Sequence, residues 1–361
     1  MTLPERVNSL LIVKLSSIGD VIQSLPVAAA LRRRFPSAHV AWAVKPGAAD
    51  AVIGNPNLSE TLVLGGCHAD GATVRSIPPL TAPIALARAM RSHGFDVAVD
   101  MQGLLKSALV AYLSGAPVRV GFANRQEGAF LLNNWAVVPD RRDVHAVESY
   151  LGFADAFNAP AYPLDFTIAA SEADREAVDR LLVGMNDVAA LVPGARWLSK
   201  RWPPGRFGAV ADALAAEYGV TSIIVGARSD APLAAEIAAS ASTPVADLTG
   251  KTTLKQLAEL FRRCRAVVSN ETGPMYIASA VGAPTVAIFG PTNSSRLGPY
   301  GEGHAKVASG LPCRPCRRRS CQPLKCMEAV SIEQVLAAAR EIIRPIGPGG
   351  GACQPASANP A

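Results

Sequence analysis

Two phosphate-binding signatures are missing from this chain. No G-x-G-x-x-G follows the first apolar segment, and no G-x-x-x-x-G-K-[ST] occurs anywhere. Their absence counts against nicotinamide-dependent dehydrogenases and P-loop nucleotidases. Aromatic residues make up only 6% and charged residues 18%. No interleaving of aromatic with basic residues and no nucleic-acid-binding fold signature is found, which disfavours a nucleic-acid partner. Nothing near the N-terminus reads as a signal peptide: the apolar run Leu10 to Val13 is cut by Lys14 and no small-residue cleavage site follows. One uncharged run, Thr272 to Ser295, has the length of a membrane span. Gly282, Pro284, Gly290 and Pro291 divide it into helix, turn and strand, so a span is rejected. A cytoplasmic protein is expected, touching the inner face of a membrane only peripherally.

What is present is aliphatic. Of the 361 residues, 49% are hydrophobic, and Ala, Val and Leu supply most of them. That is the filler of parallel sheets covered by helices on both faces. The length fits two domains of ordinary size. The net charge of +6 suits a phosphate-bearing ligand or an anionic membrane surface without proving either. The runs Arg32 to Arg34 and Arg317 to Arg319 read as solvated helix ends or loops.

Apolar runs alternate with helical patterns along the whole chain, which predicts an α/β fold. In the first half, strands are expected at Leu10–Leu15, His39–Val44, Thr61–Leu64, Asp96–Asp100 and Val118–Gly121. Helices are expected at Val21–Arg34, with a kink allowed at Pro26, and at Gly47–Ile53, Ala82–Ser92, Gln102–Leu113 and Val144–Phe157. A polar linker is expected after Leu64. Asn158 to Glu172, with Pro160 and Pro163, reads as the connection to a second unit of the same kind. Its strands are expected at Val188–Pro193, Val220–Gly226, Val245–Leu248, Ala266–Ser269 and Thr285–Phe289. The domains are drawn at 1–165 and 166–345, with a disorder-prone Gly- and Pro-rich tail over 346–361.

The second unit is organised around Ser269-Asn270-Glu271-Thr272-Gly273-Pro274-Met275-Tyr276, which runs on to Phe289-Gly290-Pro291-Thr292. A buried strand leads in, and Thr272-Gly273 stands at the start of a helix. A helix start offers unpaired N–H groups and the positive end of the dipole, which suits a phosphate. An ordinary strand-to-helix connection reads the same residues equally well. The loop Pro193 to Pro203 carries Arg196, Lys200 and Arg201, cations for a diphosphate or simply surface charge. In the first unit, Ser16-Ser17-Ile18-Gly19-Asp20 follows the first strand; Asp20 is a helix N-cap or a general base.

Several of these segments resemble glycosyltransferase family 9, the bacterial ADP-heptose:lipopolysaccharide heptosyltransferases. Lys14 to Asp20 matches K-x-S-S-I-G-D, and Asp100 to Ser107 resembles D-x-Q-G-L-x-K-S. His145 to Glu148 resembles H-A-V-E, Lys200 to Pro203 matches K-x-W-P, Ser269 to Gly273 resembles S-x-D-T-G, and Phe289 to Thr292 matches Y/F-G-P-T. The match runs in order over residues of about 8 to 345, and its early part looks more like heptosyltransferase I than II.

The resemblance implies a GT-B fold, two Rossmann-like domains facing across a cleft, the first for the acceptor and the second for the nucleotide-sugar. It implies inverting transfer of heptose from ADP-heptose to the Kdo-lipid A inner core, with no cofactor and no obligatory catalytic metal. Carried over by position, Asp20 is the base and Lys200 binds the donor phosphates. Thr272 and Gly273 hold the diphosphate, while Arg196, Glu271 and Tyr276 line the donor pocket. Ser17, Gln102, Gly103 and Lys106 contact the acceptor. Three positions depart from heptosyltransferase I: Glu271 replaces Asp, Tyr276 replaces His, and Arg196 replaces Thr. They leave room for a family 9 enzyme with another sugar or acceptor; a non-catalytic nucleotide-binding protein is the rival from another class. Cys313, Cys316, Cys321 and Cys326 have a spacing open to zinc, but no common zinc module has it. A reduced loop without metal is the expectation. Cys67, Cys264 and Cys353 look unrelated to that segment, and His68, His93 and His304 read as isolated surface residues.

Overall fold

Thirteen short, mostly apolar segments pair into two parallel sheets in this computed structural model. The structure describes residues 3–66, 73–123, 126–139, 141–321 and 324–343. Cys67, His68, Cys353 and the expected tail lie outside them. The chain divides into two compact units between Ala169 and Ala170. Among the described residues no helix is long and apolar enough to cross a membrane.

The first unit holds β1 (Ser9–Val13), β2 (His39–Val44), β3 (Glu60–Leu64), β4 (Val74–Ile77), β5 (Val97–Asp100), β6 (Val118–Phe122) and β7 (Trp135–Val138). Their order is β4-β3-β2-β1-β5-β6-β7, all parallel. On one face Leu11, Val13, Ala41, Ala43 and Leu62 pack on Leu86, Met90, Val110 and Ala111 of the helices Pro83–Arg91 and Leu105–Leu113. The alternate residues Leu10, Ile12, Val40 and Trp42 are equally buried. Burial on both faces explains why the strands show no polar alternation.

The second unit holds β8 (Val188–Val192), β9 (Thr221–Ile224), β10 (Val245–Asp247), β11 (Cys264–Asn270), β12 (Thr285–Phe289) and β13 (His304–Ala308). Their order, β10-β9-β8-β11-β12-β13, is the Rossmann order. Trp202, fully buried, packs against Phe207 with ring centroids 5.1 Å apart and donates its indole N–H to the Val330 carbonyl at 2.9 Å.

The expected fold class is the one found, and the differences have local causes. The helix expected over Val21–Arg34 begins earlier and is two helices, Ile18–Gln23 and Leu25–Arg34, parted at Ser24. Pro26, the second residue of the later helix, has no N–H and its ring excludes a continuous preceding turn. The segment after Leu64, expected as a polar linker, contains β4. The run Arg32 to Arg34 is not simply solvated. Arg32 donates to the Ala38 carbonyl at 2.7 Å, Arg33 to the Pro160 and Ala161 carbonyls, and Arg34 to the Phe157 carbonyl. The Arg33 bonds, with Asn57 Nδ2 to Asp165 at 2.8 Å, fasten the connecting segment to the first unit. Two expected surface histidines are largely buried. His93 stacks on Phe95 and lies 3.2 Å from Glu60. His304 is pushed by burial down to about 4.

Asp100, the last residue of β5, is fully buried and shapes the loop after it. Its Oδ1 accepts the N–H groups of Gln102 at 3.1 Å and Gly103 at 3.2 Å; its Oδ2 accepts from Asn133 at 3.2 Å. Burial raises its pKa above 3.8, against the lowering effect of Ser107, Asn133 and the two N–H groups. A carboxyl raised on folding destabilises once ionised, so its contribution is fully present below pH 3.8 and lost as pH rises through the raised value. Asn at this position retains an acceptor for both amides; its N–H₂ then faces Asn133, whose amide has to turn over so that its Oδ1, without a partner among the described residues, accepts it. We expect Asp100→Asn to melt at or above the wild-type temperature at neutral pH. Asp100→Ala, which strands two buried amides, should lose about 2 kcal/mol or more. Thermal melts of both variants at pH 4 and 7 check this; an Asn variant less stable than the Ala variant would show that the charge holds the loop.

Candidate active site

In an open parallel sheet, ligands bind beyond the carboxyl ends of the strands where the strand order reverses. The first sheet reverses between β1 and β5, the second between β8 and β11. The sequence-selected residues stand in the loops after these four strands or in the first turn of the helix that follows: Ser17 and Asp20 after β1, Gln102 and Gly103 after β5, Arg196 and Lys200 after β8, and Glu271 to Gly273 after β11.

In the first unit the two loops are laced together. Gln102 Oε1 accepts the N–H of Leu15 at 2.9 Å and of Ser16 at 3.3 Å. Gly103 has φ +68°, the left-handed conformation that leads into the helix Leu105–Leu113. Asp20 is not the N-cap. Ser17 is, and Asp20 is the third helical residue, its Oδ2 accepting the Ser17 N–H at 3.2 Å and hydroxyl at 2.7 Å. Its Oδ1 accepts the Tyr150 hydroxyl at 3.2 Å. Tyr150 in turn accepts from Lys14 Nζ at 2.7 Å, and Lys14 also donates to the Met101 carbonyl at 3.1 Å. Burial pushes the Asp20 carboxyl up, but the Lys14 charge with the Ser17 and Tyr150 bonds outweighs it and holds the group below 3.8. Asp20 is therefore an ionised carboxylate at neutral pH. Lys106 lies half-buried one residue into the helix Leu105–Leu113.

In the second unit a buried ion pair lies at the reversal point. Lys200 Nζ is 2.8 Å from Glu271 Oε1, with side chains only 15% and 4% exposed. The Thr292 hydroxyl donates to Glu271 Oε2, and the Tyr276 hydroxyl to Oε1 at 3.4 Å. Lys200 also lies 4.5 Å from the centre of the Trp197 ring. Asn270, fully buried, ties the loops by accepting the Trp202 N–H at 3.1 Å and donating to the Pro193 carbonyl at 2.7 Å. Thr272 is the extended N-cap of the helix Gly273–Ala280, and its side chain makes no capping bond. Its hydroxyl and the first amides thus stand at the positive end of that helix. Arg201 does not join the cluster; it donates to the Ala195 carbonyl at 2.9 Å and braces its own loop. Arg196 is exposed on the same loop.

The cysteine segment supports this edge. Arg314 donates to the carbonyls of Gly290, Ser309 and Thr292, and the Arg317 N–H to the Pro291 carbonyl at 2.8 Å. The Ser199 hydroxyl, beside Lys200, donates to the carbonyls of Arg318 and Arg319 at 2.7 and 3.0 Å. Cys313 and Cys316 are exposed, whereas Cys326 is buried beside Met327, where burial raises its thiol pKa. Among the described residues no group of three or more His, Cys, Asp or Glu is placed to hold a metal ion.

The structure thus joins Ser17, Asp20 and Gln102 in one cluster and Lys200, Glu271 and Tyr276 in another. Sequence reading gave no role to Lys14, Tyr150, Thr292 or Arg314. Tyr150 lies 130 residues from Asp20, on the apolar face of the helix Ala146–Ala156. A phenol among Val147, Leu151 and Phe153 was its only signal.

The family model for glycosyltransferase family 9 (heptosyltransferase) matches residues 84–327. Lipopolysaccharide heptosyltransferase 1 of Pseudomonas aeruginosa is 27% identical over 321 residues, 86% of each chain. A crystal structure of a family 9 glycosyltransferase from Veillonella parvula aligns with TM-score 0.80 at 21% identity, covering 95% of this chain and 99% of that one. Escherichia coli heptosyltransferase WaaC, solved with ADP-2-deoxy-2-fluoro heptose, aligns with TM-score 0.68 at 23% identity over 92% of this chain and 99% of its own. The two parallel-sheet units are those of the GT-B heptosyltransferase structures, and with two thirds of its length matched by the family model the chain belongs to glycosyltransferase family 9, the heptosyltransferases.

Proposed function

We propose that this glycosyltransferase transfers heptose from ADP-heptose, with inversion, to the Kdo-lipid A inner core of lipopolysaccharide. The observation that carries the reading is the placement of a carboxylate held ionised at one sheet's reversal point and a buried lysine at the other's. The donor is supported by the relative solved with an ADP-heptose analogue, and the inner-core acceptor by similarity to lipopolysaccharide heptosyltransferase 1. A second reading, another nucleotide-linked sugar, is favoured by Glu271. Its reach to both Lys200 and Thr292 fills space that a shorter aspartate leaves open.

In this reading the first unit binds the acceptor and the second the donor. The acceptor hydroxyl oxygen attacks the anomeric carbon while the bond from that carbon to the diphosphate oxygen breaks. ADP departs with the bonding pair, and Asp20 takes the hydroxyl proton. The Lys14 ammonium, relayed through Tyr150, keeps Asp20 ionised and oriented. Charge accumulating on the diphosphate is met by Lys200 and by the start of the helix Gly273–Ala280. An ammonium has three donors, so the Glu271 contact leaves Lys200 capacity for phosphate oxygens.

Asp20→Asn keeps an acceptor for the Ser17 N–H, so it should fold and bind ADP while kcat falls by about 10²–10⁴. Turnover and ADP titration of the purified variant test the assignment; full turnover would move the base elsewhere. Because the Lys14 charge and the Ser17 and Tyr150 bonds hold the Asp20 pKa below its ordinary value, Asp20 should impose no acid limb on the wild-type rate profile near neutral pH.

Lys200→Ala removes a charge-assisted phosphate contact worth about 1.5–3 kcal/mol and leaves Glu271 buried without its cation, at a further cost to stability of about 3 kcal/mol. Combining it with Glu271→Gln should recover much of the melting temperature but none of the ADP affinity. Calorimetry that finds normal ADP affinity in either protein would remove Lys200 from the donor site.

A further inference from the structure

Eight large apolar side chains are conspicuously exposed among the described residues, and five share one helical layer of the first unit. They are Ile84 on the helix Pro83–Arg91, Leu105 and Tyr112 on the helix Leu105–Leu113, and Phe130 and Leu131 on the turn Gln126–Leu131. Ile84 and Leu131 are 78% and 75% exposed. Scattered apolar residues are ordinary on a protein surface, but a concentration of them marks something that covers it. The two helices, and the second helix and the turn, are neighbours in this layer. A shallow groove of about 360 Å³ runs between the two helices, lined by Pro83, Ile84, Ala87, Arg88, Arg91 and Leu113. Arg119 joins the second helix to the turn, with its guanidinium 5.4 Å from the centre of the Tyr112 ring and donating to the Leu132 carbonyl at 2.7 Å.

The charge on this layer is predominantly positive. The two helices carry Arg88, Arg91 and Lys106 and no carboxylate; the turn adds Glu127. A second copy of the chain docking by two-fold symmetry would set these cations against one another. An anionic bilayer meets both features: the apolar tips enter the headgroup boundary and the cations pair with lipid phosphates. Arg and Lys stems also lie along apolar surface while their charged ends reach phosphate. The layer begins beside the site, since Leu105 and Lys106 follow the Asp100–Gly103 loop, which holds Leu15 and Ser16, after the single residue Leu104.

We infer that the face formed by the helices Pro83–Arg91 and Leu105–Leu113 and the turn Gln126–Leu131 docks on anionic phospholipid membranes. It presents the acceptor side of the first unit to the bilayer. Co-sedimentation of the full chain with vesicles of phosphatidylglycerol and phosphatidylethanolamine, mixed about one part to three, tests this. The vesicles contain no glycolipid, so the outcome does not depend on the transfer reading. Binding is expected to these vesicles, not to phosphatidylcholine alone, and should largely vanish in about 1 M salt, where screening shortens to ~3 Å. Arg88→Glu with Arg91→Glu should lower partitioning about 25-fold or more, at about 1 kcal/mol per charge. Ile84→Gln with Leu131→Gln should weaken what remains at high salt. Transfer to a delipidated acceptor should be unchanged in these variants. Equal binding to neutral and anionic vesicles, or none to either, overturns the inference whether or not the variants fold. So does a wild-type dimer that becomes monomeric on Ile84→Gln with Leu131→Gln, because the face would then cover a second copy.

Discussion

A parallel strand can be followed by another only through a crossover, and that requirement arranges everything else in this chain. Each crossover returns the chain to the same sheet edge, so all loops at the carboxyl ends gather on one side. Where the strand order reverses, two neighbouring loops leave in opposite directions and a gap opens between them. Here those gaps follow β1 and β5 in one sheet and β8 and β11 in the other. Residues as distant in sequence as Leu15 and Gln102, or Trp202 and Asn270, are brought into contact there. The aliphatic strands make this possible, since burial on both faces fixes their register and leaves loops as the only place for chemistry.

Burying Glu271 beside Lys200 is the second constraint. A carboxylate in so dry a position is tolerated only because an ammonium and two hydroxyls, from Thr292 and Tyr276, meet it. The three groups come from three different loops or helices, so the pair also fixes those elements against one another. Glu271 and Tyr276 are two of the three departures from heptosyltransferase I noted in the sequence. They meet at 3.4 Å, so they read as one coupled exchange rather than two independent ones.

The sheets and their loops were legible because apolar runs bounded by Gly, Pro and polar residues report buried parallel strands directly. β12 (Thr285–Phe289) has the expected limits to the residue. The strands that escaped notice, β4, β7 and β13, are all at sheet edges. An edge strand is paired on one side only and tolerates polar residues, as Arg75 and Ser76 in β4 and His304 and Lys306 in β13 illustrate. At the site, loop residues adjacent to strands could be picked out, but not their partners. Tyr150 and Thr292 act through contacts over 130 and 21 residues of chain, which no local pattern encodes. Arg33 and Arg34 are alike in this: their carbonyl partners Pro160 and Phe157 come from more than a hundred residues further along the chain.

Asp20 and Asp100 show how one sheet edge assigns different work to the same side chain. Asp100 ends β5 and Asp20 lies just beyond the neighbouring parallel strand β1, and both accept backbone N–H bonds. Among the described residues no cation acts on Asp100, so burial dominates and its pKa rises. Asp20 has Lys14, one hydroxyl removed through Tyr150, and its pKa falls. Environments that push two like groups apart separate structural from chemical roles. Asp100 shapes the loop that carries Gln102 and Gly103; Asp20, ionised and partly exposed, is the group to which the proposed transfer gives the acceptor's proton. Lys14 sits at the end of β1 with its ammonium turned inward, so the strand that anchors the sheet also sets the charge state of the carboxylate beyond it.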